Sequence, residues 1–201
     1  EHFQWLHRHP ELALKEYETT NYVKNVLKQT EGVELLNLGL DTGALAKIGG
    51  KEPGGVVAIR ADIDALPILE ESGLSYSSEN DGCMHACGHD SHTAMLLGAA
   101  KILNGMKDKI NGTVRLLFQP AEESAKGAFA MIDDGAVDGV DGIFGIHIWA
   151  QVPVGKVSVE AGPRMACADW FYINVKGKGG HGSQPENCID ALVASSAIVM
   201  N

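Results

Sequence analysis

The sequence predicts an α/β fold: a mostly parallel or mixed sheet with helices on both faces, followed by the start of a smaller α+β unit. Two observations predict the sheet. Val56-Val57-Ala58-Ile59-Arg60 and residues 113–119 and 143–149 are short apolar runs of the kind buried strands make. Segments with helical spacing lie between them, the order that produces a sheet covered by helices. A third observation marks the boundary. Past Gly162-Pro163 the pattern changes to apolar–polar alternation over residues 168–175, as in a half-buried strand. The expected organisation is one unit over residues 1–164 and a second beginning over residues 165–201.

Composition bounds the function. A chain of 201 residues, 45% hydrophobic and 21% charged, can bury a core and is not of the disordered class. A formal net charge of −10, with no basic patch, argues against a nucleic-acid partner. No apolar run is long enough to span a bilayer, and no signal-peptide pattern is visible. Four cysteines, two of them in one loop, suit a reducing, cytoplasmic setting better than a disulfide scaffold. The chain opens without Met inside a helical pattern and stops just after an apolar run, which predicts a piece of a longer protein.

Taken in order, Pro10 marks a turn after an opening aromatic segment, and residues 11–30 read as an amphipathic helix. Residues 33–48 read as strand, turn and strand, with the turn at Asp41-Thr42-Gly43. After the strand at 56–60 comes Ala61-Asp62-Ile63-Asp64-Ala65-Leu66-Pro67, then a polar loop over 70–80. A buried helix follows from about Ser91 to Leu103, with Asp90 or Ser91 as its cap. The strand at 113–119 runs into Pro120-Ala121-Glu122-Glu123. A helix over 125–132, the strand at 143–149 and a further strand at 154–159 complete the first unit. Gly177-Lys178-Gly179-Gly180-His181 is a glycine loop without the spacing of a phosphate-binding motif. Residues 190–200 read as a helix.

The chemistry concentrates in Asp81–His92, DGCMHACGHDSH. It packs Cys83, Cys87, His85, His89, His92, Asp81 and Asp90 into one loop. A single Cys or His is usually a core or surface residue. This many together, mixing thiol with imidazole, suits a borderline-soft metal such as zinc. The spacing is not Cys-x-x-Cys, and a Cys83–Cys87 disulfide stays open on local sequence. Asp62 and Asp64, two apart on an extended segment, point the same way, so they could bind metal or orient a metal-bound histidine. Capping a turn is the plainer role for either. Glu122 and Glu123 project differently, so one could ligate a metal while the other serves as general base; a helix-start cap is the alternative. His147, in an apolar strand, is a ligand or a core histidine. His7 and His9 either approach the site or pack.

Arg60-Ala61-Asp62-Ile63-Asp64-Ala65-Leu66-Pro67, Met84-His85-Ala86-Cys87-Gly88-His89-Asp90, Gln119-Pro120-Ala121-Glu122-Glu123 and Gly177–His181 occur in this order along nearly the whole chain. Together with His7-Arg8-His9-Pro10-Glu11-Leu12 they resemble the M20 family of metal-dependent amidohydrolases and peptidases. The likeness is to the branch of N-acyl-amino-acid, hippurate and auxin-conjugate hydrolases. The resemblance implies two divalent metal ions held by Cys87, His89, Glu123 and His147, with zinc first and manganese, cobalt or nickel also fitting. It implies Glu122 as the general base, Asp64 as the orienting aspartate, and His181 as a substrate-binding histidine of a smaller lid domain acting across a homodimer interface. The implied reaction is hydrolysis of the amide bond of a small N-acyl amino acid or short peptide. Carboxypeptidase, dipeptidase and biosynthetic N-acetyl-amino-acid deacetylase share these motifs. Asp62 stands where other branches have a metal-binding histidine, and Glu186 where a histidine often follows the lid proline. The family's last ligating histidine lies beyond these 201 residues, which keeps a non-catalytic metal-binding or scaffolding role as the rival. Cysteine-protease chemistry fits poorly, because Cys87 and His89 are too close in sequence to pair readily.

Overall fold

The computed structural model describes residues 1–166, 169 and 171–201. The chain divides into two compact units, Glu1–Lys156 and Val157–Asn201.

The first unit is organised on two strands, β3 (Glu52–Asp62) and β4 (Asn111–Gln119), which pair in parallel as the apolar runs predict. On the far side of β4, β2 (Ala44–Gly49) runs antiparallel, and β1 (Glu34–Leu36) adds antiparallel to β2. β5 (Gly142–Gly145) lies parallel to β3, so the mixed sheet has the order β1-β2-β4-β3-β5. Alternation along β4 divides the core between the two faces of the sheet. Val114, Leu116 and Phe118 pack with Val23 and Leu27 of α2 (Tyr17–Gln29) and Leu96, Leu97 and Ala100 of α3 (His89–Gly105). Leu117 points the other way, to Leu45, Ala58, Ala136 and Met131 of α4 (Gly127–Asp133). α1 (His2–Arg8) packs against α3.

Register gives this architecture its consequence. Asp62 at the end of β3 stands opposite Gln119 at the end of β4, and Gly145 at the end of β5 stands opposite Arg60. Three parallel strands therefore finish side by side. The segments that leave them, after Asp62, Gln119 and Gly145, emerge at one edge of the sheet, where open α/β sheets carry their ligands.

Several elements differ from the sequence reading, each for a local reason. The second helix starts at Tyr17 rather than at residue 11. Leu12 makes a bridge to Ala65, the Glu11 carbonyl accepts from Ala65 N–H at 2.8 Å, and Leu14 turns the chain with φ +65°. β5 stops at Gly145, so His147 lies in the loop beyond it rather than inside a strand. Residues 154–159 form no strand. Val57 is exposed, as is all of β5, because nothing among the described residues covers that part of the sheet.

In the second unit, α5 (Ala191–Met200) is capped by Asp190, whose carboxylate accepts from Leu192 N–H at 2.8 Å and Val193 N–H at 3.1 Å. Lys178 and Ile189 form an antiparallel bridge. The strand expected over residues 168–175 lies partly outside the described residues, and 171–175 form no strand. Among the described residues, no helix is long and apolar enough to cross a membrane.

Candidate metal centre

The ligand-rich loop ends where α3 begins. Gly88 occupies the N-cap position with φ +89°, a left-handed conformation that glycine takes without cost. Neither Asp90 nor Ser91 caps this helix: Asp90 is its second residue and reaches His7 instead, at 2.6 Å from Nδ1. The tight turn at Gly88 sends Cys87 and His89 to the sheet edge where β3, β4 and β5 finish. Cys83 and Cys87 are both free thiols.

His89 is the centre of the cluster. It is 1% exposed, and its Nδ1–H donates to Asp64, to the backbone carbonyl at 2.9 Å and to Oδ1 at 3.2 Å. That leaves Nε2 with a bare lone pair and no hydrogen-bond partner, although it is buried. Around it stand Asp62 Oδ2 at 3.7 Å, Glu122 Oε2 at 3.7 Å and Glu123 Oε1 at 3.8 Å. Glu123 Oε1 is likewise buried and unpartnered. On the open side, Cys87 Sγ lies 3.4 Å from His147 Nε2, and His147 Nδ1–H donates to its neighbour's carbonyl, Ile148 O, at 2.5 Å. Among the described residues, three groups of ligand atoms lie within 4.8 Å of each other: Cys87, His89 and His147; His89, Glu122 and Glu123; and Asp62, His89 and His92.

These atoms fit divalent metal. Two buried acceptors facing each other without a proton between them are costly. A cation between them removes the cost, as does the proton on Nε2 that the raised His89 pKa favours when no metal is bound. Ligand atoms about 3.3–3.8 Å apart are what tetrahedral coordination at about 2.0–2.3 Å produces. The electrostatics agree. Burial, then the Glu123, Glu122 and Asp62 carboxylates, push the Cys87 thiol up to about 12. A thiolate ligand here therefore needs a cation beside it. Burial also raises Glu122, with Asp62 and Glu123 adding to the rise and His89 opposing it. His89 loses basicity to burial but regains more from Asp64, Asp62 and Glu122, and ends raised.

Asp64 holds both halves of the cluster. Besides His89, its Oδ2 accepts from Glu123 N–H at 3.0 Å. Asp62, the residue sequence reasoning left open, is engaged differently. Its Oδ1 accepts from His92 Nδ1 at 2.6 Å and its Oδ2 from Arg60 at 2.6 Å. Burial alone would raise its pKa; the His92 hydrogen bond, with His89 and Arg60, holds it down at about 2.

His92 is counted in the ligand-rich loop from sequence but given no role. Its Nδ1 is spent on Asp62 and its Nε2 accepts from Ile148 N–H at 3.0 Å, so both ring nitrogens are committed. It ties the loop carrying His147 to the helix carrying His89. Its position three residues after His89, on the same helix face, was the available signal. His85 is buried with both ring nitrogens unpartnered, and burial lowers its pKa to about 4. It lines an open cleft of about 440 Å³ together with Phe3, His7, Cys87, His147 and Trp149. His7 bridges Asp90 and Glu70, and His9 stacks on Trp5, so neither touches the cluster. His181 belongs to the second unit, where its Nδ1 accepts from Ser183 N–H at 3.2 Å.

Three parallel strand ends that gather thiol, imidazole and carboxylate donors around one buried bare nitrogen define an α/β protein built to hold divalent metal. More narrowly, the chain belongs to peptidase family M20/M25/M40, whose family model matches residues 58–197. It is 46% identical over 195 residues to N-acetyl-L-cysteine deacetylase of Bacillus subtilis, covering 97% of this chain and 47% of that protein. It is 49% identical over 196 residues to thermostable carboxypeptidase 1 of Saccharolobus solfataricus, covering 96% and 50% respectively. Among solved structures it resembles the YXEP protein of Bacillus subtilis, described as a dinuclear metal binding peptidase from the M20 family. The TM-score is 0.79 at 48% identity, over 81% of this chain and 45% of that one. The chain thus spans about half the length of the relatives it matches.

Proposed function

We propose that the whole protein hydrolyses the amide bond of N-acyl amino acids at a pair of divalent metal ions. The observation that carries this reading is the buried, unpartnered Nε2 of His89 facing the equally unpartnered Oε1 of Glu123, with Glu122 beside them. Cys87, His89, Glu123 and His147 would hold the metal, with residues 1–164 as the metal-binding domain. The thiol among the donors favours zinc; manganese, cobalt and nickel also accept the set. Metal bound there supplies a Lewis acid and a water acidic enough to ionise near neutral pH.

The rest is work for side chains. Glu122, more exposed than Glu123 and raised in pKa, accepts the proton from the attacking water and hands it to the leaving amine. Asp64 fixes the His89 tautomer and the Glu123 backbone at once. Asp62 and His92 keep the His147 loop in place. His181 is assigned to the substrate carbonyl, on the likeness of its glycine loop to the lid of M20 enzymes, with the lid beginning at 165 and pairing two copies of the whole protein. The reducing, cytoplasmic setting read from the cysteines suits a thiolate ligand.

A peptidase reading has its own support, since the carboxypeptidase relative is as similar as the deacetylase. The test is a panel of acetyl-amino acids, hippurate and dipeptides offered to the full-length protein with each metal in turn. Preference for the acyl amino acids is the expected result. Cleavage of dipeptides alone would replace it with the peptidase reading, and no cleavage of any of them would remove both.

A further inference from the structure

Glu16 lies far from the cluster in sequence and belongs to none of the ligand motifs, yet it is completely buried. It stands at the N-cap of α2, and its Oε1 accepts from Ala121 N–H at 2.7 Å. Ala121 is the residue immediately before Glu122. It has φ +50°, a strained conformation for a residue with a Cβ, which persists only where the surroundings enforce it. On the other side of the pair, Asp64 accepts from Glu123 N–H at 3.0 Å. Two carboxylates from distant parts of the chain therefore grip the backbone on either side of Glu122. The first turn of α2 adds a brace. Thr20 Oγ1 accepts from Gly43 N–H at 2.8 Å, and Gly43, at φ +96°, approaches Pro120 so closely that a Cβ there would lie 2.8 Å from Pro120 Cδ.

We infer that Glu16 is a positioning residue: its reach to the Ala121 amide sets where Glu122 and Glu123 point. This rests on the reading of Glu122 as proton acceptor and Glu123 as metal ligand given above. What matters is an acceptor at the right length, not a negative charge. Burial raises the pKa of this carboxyl, against the hydrogen bonds it accepts from the backbone and from Thr42.

The inference separates two conservative changes. Glu16→Gln keeps the length and an acceptor oxygen but discards the charge. Glu16→Asp keeps the charge but falls one methylene short. In the full-length protein, Glu16→Asp should lower kcat roughly 10–100-fold with KM changed less than about threefold, since misplacement by about 1 Å costs about that much. Glu16→Gln should stay within about threefold of wild type in both. The visible absorption of the Co²⁺-loaded protein provides a readout besides activity: Glu16→Asp should alter the band, and Glu16→Gln should match wild type. Leu27→Ala, a cavity in the same helix away from the turn, controls for general loosening and should leave the spectrum unchanged. Should Glu16→Asp not fold, Glu16→Met, which keeps the volume but has no acceptor oxygen for the Ala121 amide, is read in its place and should show the same loss of kcat and altered band. The inference is overturned if Gln and Asp fall together, if neither has an effect, or if Leu27→Ala alters the spectrum as Glu16→Asp does. If wild type cleaves nothing offered, the hydrolase reading fails, and the Co²⁺ spectra alone decide the role of Glu16.

Discussion

Glu122 and Glu123 are neighbours of one residue type with different surroundings. The Glu123 side chain has its backbone amide held by Asp64 and one oxygen buried without a partner; the Glu122 side chain is more open to solvent. The account gives them separable phenotypes. Glu122→Gln should reduce kcat on the order of 10²–10⁴-fold with metal content near normal. Glu123→Gln should lose metal, and its activity should return in part when metal is added in excess. Metal stoichiometry and kcat measured side by side check both, and the opposite pattern would exchange the two roles. At this scale the sequence was informative where donors cluster locally. The density of Cys and His over residues 81–92 marked the loop, and the likeness to M20 enzymes singled out Cys87 and His89, which lie in one group of candidate ligands. The sequence counted His92 without giving it a role and was silent on Glu16; their partners lie 30 and 105 residues away. A hydrogen bond between distant segments leaves no periodicity to read.

The helix that presents the site depends on one left-handed residue. A Cβ at Gly88 would run into the Ile148 side chain, and φ +89° disfavours any other residue there. Gly88→Ala should therefore cost about 1–3 kcal/mol of stability and also weaken metal binding, because Cys87 and His89 flank the turn. Chemical denaturation with metal titration tests this; loss of stability with unchanged metal affinity would show that the turn does not set the ligand geometry.

α1 is joined to α3 through His7, which meets Asp90. His7 is held 2.6 Å from Asp90 and 3.1 Å from Glu70. Burial lowers its pKa, but the two carboxylates raise it by more. A raised folded-state value means the stabilisation is fully present below the ordinary histidine value of 6.5 and is lost as pH rises through the folded one. His7→Gln should thus destabilise most below that value, by roughly 1 kcal/mol, and less at alkaline pH. Equal destabilisation at pH 6 and pH 9 would contradict the ion-pair account. Elements were legible in proportion to their internal pattern. β3 and β4 contain the apolar runs read from the sequence and pair as neighbours in one sheet. The apolar spacing of residues 11–16 mimics a helix, but Leu12 is recruited by the β3-end loop and Leu14 reverses the chain. The run at 143–149 looks like one strand, yet pairing with β3 lasts only to Gly145 before the chain turns toward His92.

For the whole molecule, the mixed sheet converts a linear order of motifs into a single locus. The segments after β3, β4 and β5 and the start of α3 meet because the parallel strands end in register. This much was legible in the alternation of apolar runs with helical segments. The exposure of Val57 and β5 was not, because a run of apolar residues shows that a strand can be buried, not what covers it.

In the proposed centre, the unpartnered Nε2 of His89, buried among carboxylates, is the hub that holds divalent metal. The most direct test is the metal stoichiometry of the full-length protein, compared between wild type, His89→Ala and His92→Ala after equilibration with Zn²⁺ and removal of free ion. About two ions per chain are expected in wild type if the centre is dinuclear as proposed, with the single free nitrogen of His89 serving one of them. His89→Ala should lose at least the ion that Nε2 holds, whereas His92→Ala, whose ring nitrogens serve Asp62 and Ile148, should lose less. Full metal content in His89→Ala would contradict the proposed centre.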